Sequence, residues 1–271
     1  MKQEILMSKQ LSDQTVQEEK AFSNQPPKKR PSPKSITINS QKTQDFSELL
    51  SKLSLAGEMS TSIAHEVRNP MTTVRGLAQL LAMEHPEKIG YYQLMIEEID
   101  RANQVLSEFL CLAKNSPITF TDVILNDILR RAIDLLYSQT LQQEVHLYMF
   151  FDDNVCLHAD ENKLMLAFMH ILKNAIEASQ RGGNVFVRTR ICSNEVKVRI
   201  VDEGIGIEES ISHKIMEPFF TTKDGNPGLG LSVAYKIIED HGGSLVINSL
   251  PHIGTIVEVS FPLPASAAEP E

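Results

Sequence analysis

Tryptophan is absent from this 271-residue sequence, and five tyrosines with eleven phenylalanines bring the aromatic share to only 6%. A row of rings on which single-stranded nucleic acid stacks is therefore not provided. Cysteine is scarce as well. Cys111, Cys156 and Cys192 are odd in number and far apart, so they supply neither a disulfide framework nor a paired-cysteine metal knuckle, and a reducing compartment suits them. No apolar run approaches the ~18 residues that a membrane-spanning helix needs, and Met1–Lys9 carries charges where a secretory leader has an apolar core. The expectation is a cytoplasmic protein with no transmembrane segment. Basic residues are the minority, 26 against 35 acidic ones for a net charge of −9, which disfavours nucleic acid and anionic lipid as nonspecific partners.

What is present is ordinary globular material, 42% hydrophobic and 23% charged, enough for one large or two ordinary domains. The first 45 residues differ from the rest. They are polar, include Gln25-Pro26-Pro27-Lys28-Lys29-Arg30-Pro31-Ser32-Pro33-Lys34, and hold eight basic against five acidic residues, leaving −12 on the remainder. Such a stretch cannot bury enough apolar surface to order itself, so residues 1–45 read as a flexible polar tail. Lys28-Lys29-Arg30 reads as part of a solvated linker, with contact to an acidic partner or a membrane surface as the sharper alternative.

From Leu53 onward apolar residues recur at spacings of three and four: Leu53, Ala56, Ile63, Val67, Val74, Leu77 and Leu81, with Ser60 and Pro70 at the remaining seam positions. Tyr92, Met95, Ile99, Ala102, Leu106, Phe109 and Ala113 repeat the pattern after a break at Glu84-His85-Pro86. Two long helices with a short turn make an antiparallel hairpin over residues 46–116. Its seam has little to cover it within one chain, so a homodimer with a four-helix bundle is expected. Beyond Pro117 the pattern changes to short runs rich in β-branched residues, at Val145–Phe151, Val155–His158, Val185–Arg190, Val196–Val201, Ser244–Asn248 and Thr255–Phe261. Helical stretches lie between them at Leu125–Gln139, Glu161–Gln180 and Leu231–His241. The fold class is α+β: the hairpin, then an α/β sandwich over 117–263 with helices on one face of one sheet, then an unstructured tail over 264–271.

Four groups of residues carry chemistry. His65, in Ser62-Ile63-Ala64-His65-Glu66-Val67-Arg68-Asn69-Pro70, lies midway between seam residues Ile63 and Val67, so on a helix it faces away from the seam. Glu66 beside it can fix the imidazole tautomer and leave the other nitrogen nucleophilic. Pro70 removes a backbone donor and bends the helix one turn on, at a cost of about 3 kcal/mol that invites a functional reason. Taken alone, such a histidine on a helix is more often plain surface. In Val201-Asp202-Glu203-Gly204-Ile205-Gly206-Ile207, the glycines allow close approach of backbone to a ligand and Asp202 can accept from an amino group. A charged turn is the plain alternative. Gly225-Asn226-Pro227-Gly228-Leu229-Gly230-Leu231-Ser232 opens a helix, whose free N–H groups suit phosphate. Finally, His170, Asn174 and Glu177 share one helix face. One Asn oxygen together with nucleotide phosphates makes a plausible magnesium set, against a core histidine and a surface Asn as the plain reading.

The joint order of these groups is what discriminates. His65-Glu66-Val67-Arg68-Asn69-Pro70, Asn174-Ala175, Asp202-Glu203-Gly204-Ile205-Gly206, Glu217-Pro218-Phe219-Phe220-Thr221-Thr222-Lys223 and Gly228-Leu229-Gly230-Leu231 together resemble the H, N, G1, F and G2 boxes of sensor histidine kinases. The likeness spans about residues 50–262, and Val105–Lys114 looks like the second helix of the Bacillus-type sporulation kinases. The resemblance implies a dimerisation and histidine phosphotransfer hairpin followed by a GHKL/Bergerat ATP-binding fold, with ATP and Mg²⁺ as cofactors. It makes His65 the phosphoacceptor, Glu66 its general base and Asn174 the Mg²⁺ ligand. Asp202 would read the adenine amino group over a floor shaped by Gly204 and Gly206. Phe219, Phe220 and Lys223 would belong to a mobile lid with Lys223 near the γ-phosphate, and Gly228, Leu229 and Gly230 to the phosphate loop. The implied partner is a response-regulator receiver domain, whose aspartate takes the phosphoryl group; input is open between a protein regulator bound to the hairpin, the tail, and a sensor carried elsewhere. Glu66 and Asn69, three residues apart, further imply phosphatase activity towards that receiver. Two departures stand out: His170 replaces the first Asn of the N box, and Asn226-Pro227 replace the usual Gly-Thr. A catalytically weak, scaffold-like member of the family is the alternative they raise.

Overall fold

The alternation of Val185, Val187 and Thr189 with Phe186, Arg188 and Arg190 dictates a strand buried on one face only, and that strand lies within the main sheet. The computed structural model describes residues 35–36, 66–113, 118–152, 154–223 and 226–263. Strand β1 is Ser35–Ile36. Helix α1 covers 66–84 and is followed by a 3₁₀ turn at Pro86–Lys88 and by α2 (Ile89–Ala113). Next come β2 (Thr121–Ile124), α3 (Leu125–Gln143), β3 (His146–Phe150), β4 (Cys156–Ala159), α4 (Glu161–Ala178), β5 (Asn184–Cys192) and β6 (Glu195–Asp202). The last elements are α5 (Glu209–Ser212), α6 (Gly230–Asp240), β7 (Ser244–Leu250) and β8 (Gly254–Pro262).

The main sheet has the order β1-β7-β8-β6-β5-β3, with β3 parallel to β5 and the other pairs antiparallel. Inward residues of β5, β6, β7 and β8 meet the apolar faces of α4 and α6. Phe168, Ile171, Leu172 and Ile176 of α4 and Val233 and Ile237 of α6 are essentially inaccessible. Asp160 caps α4 by accepting the Lys163 N–H at 3.1 Å, and it also takes the Thr119 N–H. Its own N–H donates to Nε2 of His241 at the end of α6, which ties the two helices together.

Three features depart from the sequence reading. The run near Val155–His158 does not enter the main sheet: β4 pairs with β2, a strand the alternation did not reveal, in a separate two-stranded sheet. Only four residues precede α3, too few for a period of two to stand out. Ser35–Ile36, inside the stretch read as a tail, pairs with Asn248 and Ile247 at the edge of the main sheet. Phe109, assigned to the hairpin seam, packs instead against the core of the ATP-binding fold, where its ring lies 6.2 Å from that of Phe219, and the adjacent Leu112 is buried there too.

In the hairpin, α1 and α2 are joined by Arg75–Asp100 at 2.8 Å and by Arg68 donating to the Ser107 hydroxyl. Both bonds are exposed, and each contributes little. The apolar stripe stays uncovered within one chain: Val74, Leu77, Leu94 and Met95 are each more than half exposed. Positions before 66, including Leu53, Ala56, Ile63 and His65, lie outside the described residues.

Candidate nucleotide and phosphotransfer site

A cavity of about 770 Å³ opens between α4, the loop after β6, the segment before α6 and the face of α2. Asn174, Asp202, Gly206, Phe220, Lys223, Gly228, Leu229 and Gly230 all line it. Gly204, Phe219, Glu66 and Asn69 are not part of its lining. Gly204 sits behind the wall with its N–H donating to Asp202 Oδ1 at 2.9 Å. Phe219, outside the lining, has φ 68° and contacts Phe109. Glu66 and Asn69 are exposed on α1, and His65 lies outside the described residues.

Asp202 closes β6 and is only 6% exposed. Burial pushes its carboxyl up to about 6, opposed by the N–H groups of Gly204 and Thr255 and by the charge of Lys223. The loop after it is held from three sides. Ile205 N–H donates to Ala178 O at 3.0 Å, Ile207 N–H to Ser249 Oγ at 2.8 Å, and His252 N–H to Ile205 O at 2.7 Å. Gly206 at φ 67° passes so close to β7 that a Cβ there would stand 2.0 Å from Leu250 O. Ile205, Ile207, Ile247 and Val257 give this half of the cavity apolar walls, which suit a flat heteroaromatic ring.

The other half is polar. Helix α6 starts at Gly230 with no side chain capping its first N–H groups, so the positive end of its dipole faces the cavity. Gly228 has φ 71°, and a Cβ on it would lie 2.6 Å from Phe220 O. The Lys223 ammonium reaches Glu177 Oε2 at 2.5 Å, and Glu177 also takes Lys173 at 3.8 Å and the Gln139 amide at 3.4 Å. Glu177 thus parks the cation that the sequence reading put near a γ-phosphate. Asn174 is exposed towards the cavity, and no hydrogen bond to its carboxamide is found among the described residues. No group of three or more His, Cys, Asp or Glu able to hold a metal occurs among the described residues, so a cation here would rely on one amide oxygen, phosphates and water.

A wall that motif reading missed comes from the hairpin. Arg101, Gln104, Val105 and Glu108 of α2 line the same cavity, and Glu108 is buried. Its Oε1 lies 3.4 Å from Nε2 of His170 and accepts from Gln104 Nε2 at 2.8 Å. The only hint in the sequence was His170 itself, which departs from the family pattern.

Two family models match the chain: the His Kinase A (phospho-acceptor) domain over residues 55–117, and the histidine kinase-, DNA gyrase B- and HSP90-like ATPase over residues 159–265. The chain belongs to the sensor histidine kinases. Among the relatives of this kinase chain is sporulation kinase E of Bacillus subtilis (strain 168), 38% identical over 220 residues, covering 80% of this chain and 30% of that one. Sporulation kinase C of the same organism is 36% identical over 214 residues, with coverages of 78% and 50%. Sensor histidine kinase ZraS of Salmonella typhimurium is 33% identical over 217 residues, covering 78% and 47%. The chain therefore spans about half or less of the length of these curated relatives. Among solved structures, histidine kinase ThkA in complex with response regulator protein TrrA matches with a TM-score of 0.56 at 27% identity, covering 84% of this chain and 68% of that one. Full-length ShkA in complex with AMPPNP shares the fold, with a TM-score of 0.67 at 22% identity, covering 78% and 47%. No helix among the described residues is long and apolar enough to cross a membrane.

Proposed function

We propose that this chain is an ATP-dependent protein-histidine kinase that phosphorylates His65 and passes the phosphoryl group to an aspartate of a response-regulator receiver domain. The observation that carries this reading is one cavity with an apolar half beside a buried carboxylate and a polar half facing an uncapped helix start, with the phosphoacceptor hairpin as one wall. The apolar half suits adenine, whose amino group would donate to Asp202. The amides of Gly228, Leu229 and Gly230 would take the phosphates.

Phosphoryl transfer is chiefly positioning and charge neutralisation. Mg²⁺, when bound, supplies that neutralisation on the triphosphate, and the Asn174 oxygen would hold it. Lys223 would exchange Glu177 for the γ-phosphate. In the step itself a ring nitrogen of His65 attacks the γ-phosphorus, the bond to the ADP oxygen breaks, and Glu66 accepts the proton from the other ring nitrogen. Hydrolysis of the receiver's acyl phosphate would use the same turn of α1, with Asn69 orienting water.

The uncovered stripe of Val74, Leu77, Leu94 and Met95 supports a homodimer. The complex of ThkA with TrrA supports a receiver domain as partner. A protein regulator bound to the hairpin would be a further partner, and the free thiols of Cys111, Cys156 and Cys192 suit the cytoplasm. Incubation with γ-labelled ATP and Mg²⁺ tests the reading: wild type takes up label and His65→Gln does not. ATP binding without label in wild type would favour a scaffold in place of a kinase.

A further inference from the structure

The contact between α2 and α4 places a carboxylate where an anionic ligand is expected. Glu108 is buried, and its Oε1 faces His170 Nε2 at 3.4 Å, outside hydrogen-bond geometry. His170 in turn packs on the start of α6, where a Cβ added to Gly230 would meet its Nδ1 at 2.9 Å. One imidazole therefore separates the Glu108 carboxylate from the glycine loop. Burial holds His170 below the usual imidazole range, Glu108 opposes that and Lys173 adds to it, so the ring offers little positive charge to balance a carboxylate beside it. Gln104 contributes one hydrogen bond of 2.8 Å. The last turns of α2 stay on the ATP-binding fold through apolar contacts, chiefly Leu112 within the core and Phe109 beside Phe219.

We propose that Glu108 couples nucleotide occupancy to hairpin docking by charge. With α2 docked, its carboxylate stands at the phosphate end of the cavity and opposes a polyphosphate; when the phosphates enter, they displace Glu108 from His170 and release the end of α2. Docking and nucleotide binding then weaken one another by the same factor. This inference rests on the nucleotide-site reading above, and Glu108 acts in it as a positioning residue, touching the catalytic domain through His170.

The test uses the full chain with Mg²⁺-AMPPNP as probe. Glu108→Gln keeps the shape and removes the charge, and is expected to bind the nucleotide about tenfold more tightly than wild type. Glu108→Ala guards against a peculiarity of the amide and is expected to do the same. In wild type, saturating nucleotide is expected to speed hydrogen exchange of the amides over 101–112, whereas in Glu108→Gln it leaves them as protected as before. A structural role alone predicts weaker binding in the variants. Equal or weaker binding in both variants, or unchanged exchange in wild type, overturns the coupling and leaves the nucleotide site standing. Failure of wild type and both variants to bind nucleotide overturns the site reading, and the coupling with it.

Discussion

Replacing Asp202 by Asn should make the nucleotide-free protein more stable while abolishing its grip on adenine. The carboxyl is 6% exposed, and burial raises it from an ordinary 3.8 to about 6. Because the folded state holds its proton more tightly than the unfolded chain, the fold binds the extra proton between those two values. Stability tied to this group is complete below about pH 4 and is lost as pH rises through about 6. The shift corresponds to about 3 kcal/mol at pH 7 and above. Asn still accepts from Gly204 and Thr255 but carries an amide N–H in need of a partner, so the net gain should be roughly 1–3 kcal/mol, or on the order of 3–10 °C in Tm. Thermal melts of both proteins without nucleotide, from pH 4 to pH 8, measure it. The difference should be largest at pH 8 and vanish or reverse near pH 4. A variant that melts below wild type at pH 8, or a gap that does not change with pH, would mean that burial does not raise the Asp202 carboxyl as described. With nucleotide present the order should invert, since on the proposed reading the ionised carboxylate would accept from the adenine amino group.

Other substitutions probe the remaining parts. Gly206→Ala combines a positive φ with a Cβ 2.0 Å from Leu250 O, so it should cost on the order of 2–4 kcal/mol in urea unfolding and weaken ATP binding; wild-type stability would contradict the close approach. Leu77→Glu puts a charge on the uncovered stripe of α1 and should shift the protein from dimer to monomer in light scattering, with the ATP-binding fold's melting unaffected. Asn69→Ala should keep autophosphorylation and lose dephosphorylation of a phosphorylated receiver domain; unchanged dephosphorylation would count against the water-orienting role.

Periodicity made the main elements legible. Seam spacings of three and four mark the hairpin, whose stripe is apolar though uncovered within one chain, and alternation marks β5 and β6, because those strands bury one face against α4 and α6. Strand β2 is hidden by its shortness, and the pattern alone places β4 in the main sheet because its true partner leaves no signal. The linear motifs led to Asp202, Gly206, Asn174 and the segment around Gly228, since glycine at positive φ and a carboxylate after a strand leave local signatures. Glu108 and Glu177 left none: a glutamate on a helix reads as solvated until tertiary packing buries it against His170 or sets it against Lys223. Phe109 likewise fits a heptad as well as it fits a domain contact, and only the proximity of Phe219 decides between them.

On the proposed function, the hairpin and the ATP-binding fold of this chain together phosphorylate His65. The most direct measurement is the chemical stability and position of label taken up from γ-labelled ATP with Mg²⁺. A phosphoramidate on His65 predicts label that is lost in acid, kept in base, recovered in the peptide containing Ile63–Arg68, and missing from His65→Gln. Label that survives acid, or that persists in His65→Gln, would contradict a phosphohistidine at His65.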